Sequence, residues 1–109
     1  MTEREICTSY KGARQPNEQT QILADLNGTN RIEIIRILVK NDVELTGPTV
    51  RYLHRRLDQL DRLLIKKEQK RREAIKDGHS NEPARLAREI LADECEYKKI
   101  VEILNMTEA

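Results

Sequence analysis

The chain of 109 residues contains no tryptophan and no phenylalanine, and it has only three tyrosines. Aromatic side chains are enriched in strands, and this chain has few of them. Leucine, isoleucine and alanine must therefore fill the core, and this composition favours helix-on-helix packing over a sheet. We expect an all-α protein with one domain, or with one small domain that carries a helical appendage.

Cysteine and long apolar runs are also scarce. Cys7 and Cys95 lie far apart, form no Cys-x-x-Cys motif and have no flanking histidine, so we expect two reduced thiols. No segment approaches the ~20 apolar residues that a membrane-spanning helix needs. The first residues do not resemble a signal peptide. These observations predict a cytoplasmic protein without a membrane partner.

The residues that carry chemistry form no recognisable catalytic set. His54 lies among arginines and His79 lies in a loop, and neither has a partner at metal-ligand spacing. The carboxylates fall mostly at helix-surface spacings, such as Glu68 four residues before Arg72. A core of this size also leaves little room for a dry catalytic pocket. We expect a protein that is not an enzyme and that uses no metal or cofactor.

Prolines, glycines and capping residues divide the chain into five predicted helices. Pro48 suits a first helical turn, and Asn30 with Glu33 has the spacing of a capping box. Asn41 and Asp42 tolerate the left-handed conformation that ends a helix. The predicted helices cover about residues 3–10, 16–27, 31–40, 48–77 and 83–104.

Apolar spacing in the fourth helix predicts how these elements are arranged. Val50, Leu53, Leu57, Leu60 and Leu64 follow the 3-4-3-4 spacing of a coiled-coil seam. A short loop between two long helices gives an antiparallel hairpin. We expect a helix-turn-helix-like module of three or four helices, residues 1–57, that continues into an antiparallel hairpin, residues 48–105, through the shared fourth helix. The seam either packs within the chain or meets a second copy.

Positive charge is concentrated in one segment of the chain. Residues 47–77 contain ten Lys/Arg against five Asp/Glu, whereas residues 1–46 and 78–109 are net negative. A basic run in this segment either follows a phosphate backbone or, as we prefer, forms a solvated helix face. Its members are Lys66, Lys67, Lys70, Arg71 and Arg72.

The most informative stretch is residues 33–57, which contains the run VELTGPTV. Leu45, Val50 and Leu53 have the spacing of the buried anchors in a helix-turn-helix. The stretch resembles the helix-turn-helix of small bacterial regulators, including the arginine-repressor-like type, over 25 of the 109 residues. It departs from the pattern at Glu44, where glycine is usual, and at Lys40, where a small residue is usual. No β-hairpin wing follows it.

The resemblance implies that the second helix of this motif binds duplex DNA. Arginines on its outward face would reach phosphates or guanine edges, and threonines near its N-terminus would contact the backbone. Two half-sites lie about 34 Å apart, so a homodimer is expected. A regulator of transcription or an accessory factor, of phage or mobile-element type, fits this reading. The expected contact residues are Thr46, Thr49, Arg51, Tyr52, Arg55 and Arg56.

Two alternatives remain open. Ala24, Gly28, Ile34 and Ile37 also fit the motif spacing, which would make residues 30–41 the recognition helix, although that helix has little polar surface. The other alternative belongs to a different class, a helical protein–protein adaptor or inhibitor that acts through the hairpin. Salt separates the two classes, because DNA binding weakens steeply as salt rises and an apolar helical interface does not.

Overall fold

The computed structural model of the chain describes residues 1–78 and 81–108, and this part of the chain contains five helices and no strand. The two long helices pack against each other as a hairpin. The predictions of an all-α fold and of a helical hairpin are therefore confirmed. The helices are α1 Glu3–Gly12, α2 Pro16–Leu26, α3 Arg31–Lys40, α4 Gly47–Lys76 and α5 Glu82–Glu108.

Three residues in the left-handed backbone region follow three of the helices. Gly28 has φ +62° after α2, Asp42 has φ +59° after α3, and Gly78 has φ +77° after α4. Glycine adopts this conformation without strain, and aspartate is one of the few other residues that tolerate it. The helix ends predicted at these positions are confirmed. The fourth helix continues without a break past Leu64 to Lys76.

Capping side chains begin α1 and α3. The Thr2 hydroxyl accepts a hydrogen bond from the Glu5 amide, and the Glu5 carboxylate accepts one from the Thr2 amide, which is a complete capping box. At α3, the Asn30 side chain accepts from the Glu33 amide at 2.9 Å. The Glu33 carboxylate instead binds Lys99 at 2.8 Å. Only half of the box predicted at α3 is therefore present.

The chain divides into two compact units. The first unit comprises residues 1–54 and 99–109, and the second comprises residues 55–98. In the first unit, α1, α2 and α3 pack on one another around isoleucine and leucine side chains. Ile34, Ile35 and Leu38 of α3 are completely buried. This enclosure explains why α3 has so few polar residues.

The second unit contains the part of α4 that begins at Arg55 and the part of α5 that ends at Lys98. The leucine seam continues here with Leu60, which is fully buried, and with Leu57 and Leu64, which are half-buried. Farther along the helix the seam position is occupied by Lys67, whose Nζ donates to the Asp93 carboxylate at 2.6 Å. The apolar stripe thus gives way to an ion pair between the two helices.

Candidate nucleic-acid interface

Thr46 and Thr49 form a hydroxyl cluster inside the first unit. The Tyr10 hydroxyl lies 2.9 Å from the Thr49 hydroxyl and 3.2 Å from the Thr46 hydroxyl, and the two threonine hydroxyls are 3.0 Å apart. The Thr46 amide donates to the Tyr10 oxygen at 3.0 Å. Thr49 is completely buried. These two threonines were expected to contact phosphate, but in the structure their hydroxyls attach α1 to the start of α4.

Tyr52 is half-buried in the first unit and stacks with an arginine. The Arg31 guanidinium carbon lies 3.8 Å from the centre of the Tyr52 ring, a cation–π contact. Arg31 also donates to the Thr20 hydroxyl at 2.6 Å and to the Asn17 backbone and side-chain oxygens, both at 2.7 Å. Arg31 therefore joins α2, α3 and α4, and one face of the Tyr52 ring is covered.

Arg51 belongs to the first unit and is exposed. Its guanidinium lies over Gly47, where a side chain would approach within 3.3 Å of the Arg51 Nη1 atom. Among the side chains that the structure describes, no carboxylate lies at ion-pair distance from Arg51. The glycine at the start of α4 thus leaves room for an arginine that has no acidic partner in the described chain.

Arg55 and Arg56 are neighbours in the second unit but have different surroundings. The Arg56 Nε and Nη2 atoms donate to the Glu96 carboxylate at 3.1 and 2.8 Å, and its Nη1 atom donates to Gln59. This forked contact joins α4 to α5. Arg55 is exposed and has no ion pair with any residue that the structure describes. Of these two adjacent arginines, only Arg55 presents a guanidinium without an acidic partner in the described chain.

Arg55 begins a row of cations along the outward side of α4. Arg62, Lys66 and Lys70 follow it by seven, eleven and fifteen residues, spacings that keep side chains on one side of a helix. All four are exposed, and none is within ion-pair distance of a carboxylate in the described part of the chain. We call Arg55, Arg62, Lys66 and Lys70 the basic face.

The sequence analysis grouped the cations of residues 66–72 by their order in the chain and so did not predict the basic face as a group. Lys67 of that run is paired with Asp93, and Arg71 and Arg72 lie 3.1 and 3.8 Å from Glu68. Only Lys66 and Lys70 of the run belong to the basic face. The signal that would have found Arg62 is the four-residue spacing of 62, 66 and 70. Asp58 lies between Arg55 and Arg62 on α4, so the basic face is not uniformly positive.

The alternative recognition helix, α3, has little exposed surface that could contact bases in a DNA groove. Ile32 is 2% exposed and Ile35 is completely buried. The Glu33 carboxylate binds Lys99, and this hydrogen bond, together with the nearby positive charges of Arg36 and Lys40, lowers the pKa of Glu33 below its usual value. The polar stripe of α3 is thus engaged partly by α5 within the first unit.

Other candidate chemistry is sparse in the described chain. No group of three or more metal-ligating side chains occurs among residues 1–78 and 81–108. His54 is exposed, and His79 lies outside the described residues. Burial raises the pKa of the Cys7 thiol, whereas Cys95 is exposed. None of the described helices is both long enough and apolar enough to cross a membrane.

Comparison of this chain with protein-family models, with curated proteins and with solved structures finds no match in any of the three. The resemblance of residues 33–57 to a helix-turn-helix therefore gains no support from a relative.

Proposed function

We propose that this protein binds duplex DNA through the basic face of α4. The observation that carries the proposal is the division of cations in the second unit. Arg56 and Lys67 form ion pairs with carboxylates of α5, whereas the four residues of the basic face are exposed without such a partner in the described chain. Exposed cations that no carboxylate neutralises are the groups that exchange counterions for phosphates.

The dimensions of the basic face suit a polyanion. At a rise of ~1.5 Å per residue, Lys70 lies fifteen residues beyond Arg55, or about 22 Å along the helix. One DNA strand carries a phosphate about every 3.4 Å along the duplex axis, so this length faces several phosphates. Arginine offers a planar fork for phosphate and lysine a point charge, and both bind it.

This proposal changes the set of contact residues. Arg55 is retained from the expected set, and Arg62, Lys66 and Lys70 are added. Thr46, Thr49 and Arg56 are left out because their polar groups bind other parts of the chain. Tyr52 is left out because it is half-buried and Arg31 covers one face of its ring. Arg51 is exposed in the first unit and is tested separately by Arg51→Ala.

The test is fluorescence anisotropy of a labelled mixed-sequence duplex at several salt concentrations. We expect binding with a dissociation constant of about 1–100 μM at physiological salt, as for other sequence-independent contacts, and tighter binding at low salt. Four phosphate contacts give a slope of log K against log salt of about −3.6. The variant Arg55→Ala/Arg62→Ala/Lys66→Ala/Lys70→Ala should lose most of this binding and most of the slope.

The matched control removes four exposed cations from the first unit, in the variant Arg4→Ala/Lys11→Ala/Arg14→Ala/Lys40→Ala. Both variants change the net charge by the same amount, and circular dichroism reports whether each remains helical. Equal loss of binding in the two variants would contradict the placement on α4. No binding by the folded wild-type protein at low salt would reject DNA binding altogether.

A second candidate function is a helical adaptor or inhibitor of another protein. The observation that favours it is the exposure of large apolar side chains in the second unit, where Ile65, Ile75 and Leu91 are 71%, 57% and 62% exposed. Binding through such a surface would persist at salt concentrations that abolish phosphate contacts. The salt series on any captured partner therefore distinguishes the two functions.

A further inference from the structure

The second unit buries few apolar side chains. Leu60, Ala74 and Leu86 are the buried hydrophobic residues of its described part, whereas Ile65, Ile75 and Leu91 are more than half exposed. Two helices can bury only the surfaces that face each other, so the two sides of a hairpin stay open. Bundles of three or four helices close these sides with further helices.

One side of the hairpin forms an apolar groove. Leu64 and Ile65 of α4 and Ile90 of α5 supply its apolar surface, and its volume is about 660 Å³. Polar side chains border the groove on both helices. These rim residues are Glu68, Gln69, Arg72 and Glu94.

The rim carries charges of both signs, so the rims of two copies can pair positive charges with negative ones. In a dimer with two-fold symmetry, residue i of one copy meets residue j of the other, and j meets i. A two-fold axis between positions 68 and 72 of α4 would place each Arg72 beside the other copy's Glu68 and Glu94. Arg72 is free to turn toward a partner, because its side chain is 80% exposed and lies 3.8 Å from Glu68.

The available area is sufficient for a specific dimer. Two helices side by side are about 20 Å wide, and about 20 residues of each helix give a length of about 30 Å. A face of this size covers about 600 Å² on each copy, or about 1,200 Å² in total. That total reaches the lower end of the range for stable protein–protein interfaces.

We propose that the groove between Leu64, Ile65 and Ile90 binds the same groove of a second copy of this chain, forming a four-helix bundle. Each copy then supplies the helices that close the open side of the other hairpin. Most of the basic face stays accessible, because Lys66 and Lys70 lie about 100° and 140° around α4 from Ile65. The inference does not depend on DNA binding.

The first test measures mass by light scattering during size-exclusion chromatography at about 100 μM. The wild-type chain is expected at twice 12.7 kDa. Ile65→Glu should give the monomer mass, with dimerisation weakened at least about a hundredfold, because a two-fold interface contains the change twice. Leu26→Glu is the matched control, since Leu26 of the first unit is 69% exposed against 71% for Ile65 and does not line the groove.

A wild-type chain that stays monomeric at this concentration would overturn the proposal, and a helix of another protein would then be the better occupant. Equal dissociation by Ile65→Glu and Leu26→Glu would overturn the placement in the groove. Because both variants keep the whole basic face, the DNA titration can be repeated on each. Failure of the dimer and failure of DNA binding are therefore separate results.

The second test reverses the rim charges. Arg72→Glu alone and Glu68→Arg/Glu94→Arg alone should each weaken the homodimer, because like charges meet across the two-fold axis. A mixture of the two variants should form a heterodimer, detected by native mass spectrometry after one variant carries an affinity tag. A mixture that associates no better than either variant alone would contradict this pairing of the two grooves.

Discussion

The two units of this chain bury apolar side chains to very different extents. Of the eighteen buried hydrophobic residues in the described part of the chain, the first unit contains fifteen and the second unit contains three. Buried apolar area is the main stabilising contribution to folding, so the first unit supplies most of the stability. The surface of the second unit carries exposed cations and exposed isoleucines. Both proposed binding surfaces, the basic face and the apolar groove, lie in the unit with the smaller core.

The polar contacts of the two units also differ in their burial. In the first unit, Thr20 and Thr49 are completely buried, and each has a hydrogen-bond partner inside the unit. In the second unit, the polar contacts between α4 and α5 are partly exposed ion pairs such as Arg56–Glu96. Buried hydrogen bonds fix a unique arrangement, whereas exposed ion pairs add little stability. Substitutions in the first unit should therefore destabilise the protein more than substitutions in the second.

The largest effect is expected from a leucine in the core of the first unit. Leu38 is completely buried, so Leu38→Ala should lower the free energy of unfolding by about 2–5 kcal/mol. Leu91 is 62% exposed, and Leu91→Ala should change it by less than about 0.5 kcal/mol. Urea denaturation of both variants measures the difference. A large loss in Leu91→Ala would mean that this face of the second unit is covered in solution.

A smaller effect is expected from one hydroxyl group. Tyr10→Phe removes the acceptor of the Thr46 amide and a partner of the Thr49 hydroxyl, so we expect a loss of about 1–3 kcal/mol. Tyr97→Phe is the control, because the Tyr97 hydroxyl has no hydrogen bond to the described part of the chain. Its unfolding free energy should stay near that of the wild type. If the two variants are equally stable, the hydroxyl cluster does not stabilise the first unit.

The adjacent residues Arg55 and Arg56 of the second unit are expected to differ in their effects on stability and on DNA binding. A double-mutant cycle with Arg56→Ala and Glu96→Ala should show a coupling energy of about 0.5–1 kcal/mol, since the pair is partly exposed. Arg55→Ala should leave stability within about 0.5 kcal/mol of the wild type. On DNA the order should reverse, with Arg55→Ala weakening binding more than Arg56→Ala. If Arg56→Ala weakened DNA binding more than Arg55→Ala, the proposed difference between the two arginines would be contradicted.

The fold was largely predictable because its signals are local. Helix ends follow from backbone chemistry at single residues, as at Gly28 and Asp42, and helical spacing identifies the apolar faces. The sequence also contained an N-terminal capping box at Thr2 and Glu5 that was overlooked. α5 extends to Glu108, past the Leu104 expected from its apolar spacing, because Met106 and Thr107 continue the helix without a breaking residue.

The site was less predictable because it depends on which polar groups meet across the chain. Thr49 and Arg55 both appear outward on a single helix. The first, however, meets Tyr10, which is 39 residues away, and the second meets no acidic side chain in the described chain. Spacing within α4 cannot distinguish these cases, since the partner lies on another helix. Whether α4 binds DNA remains a prediction.

The smallest predicted effect concerns pH and the first unit. The hydrogen bond from Lys99 lowers the pKa of Glu33 below its usual value near 4.5, and the charges of Arg36 and Lys40 act in the same direction. A carboxyl group with a lowered pKa in the folded state adds stability above about pH 4.5, and this stability is lost as the pH falls through the folded value. Lys99→Met should therefore destabilise the protein more at pH 7 than at pH 3. Lys98→Met, a change at an exposed neighbour in the second unit, should show no such dependence. Urea denaturation across this pH range measures both variants, and a constant difference between Lys99→Met and the wild type would contradict the role of this ion pair.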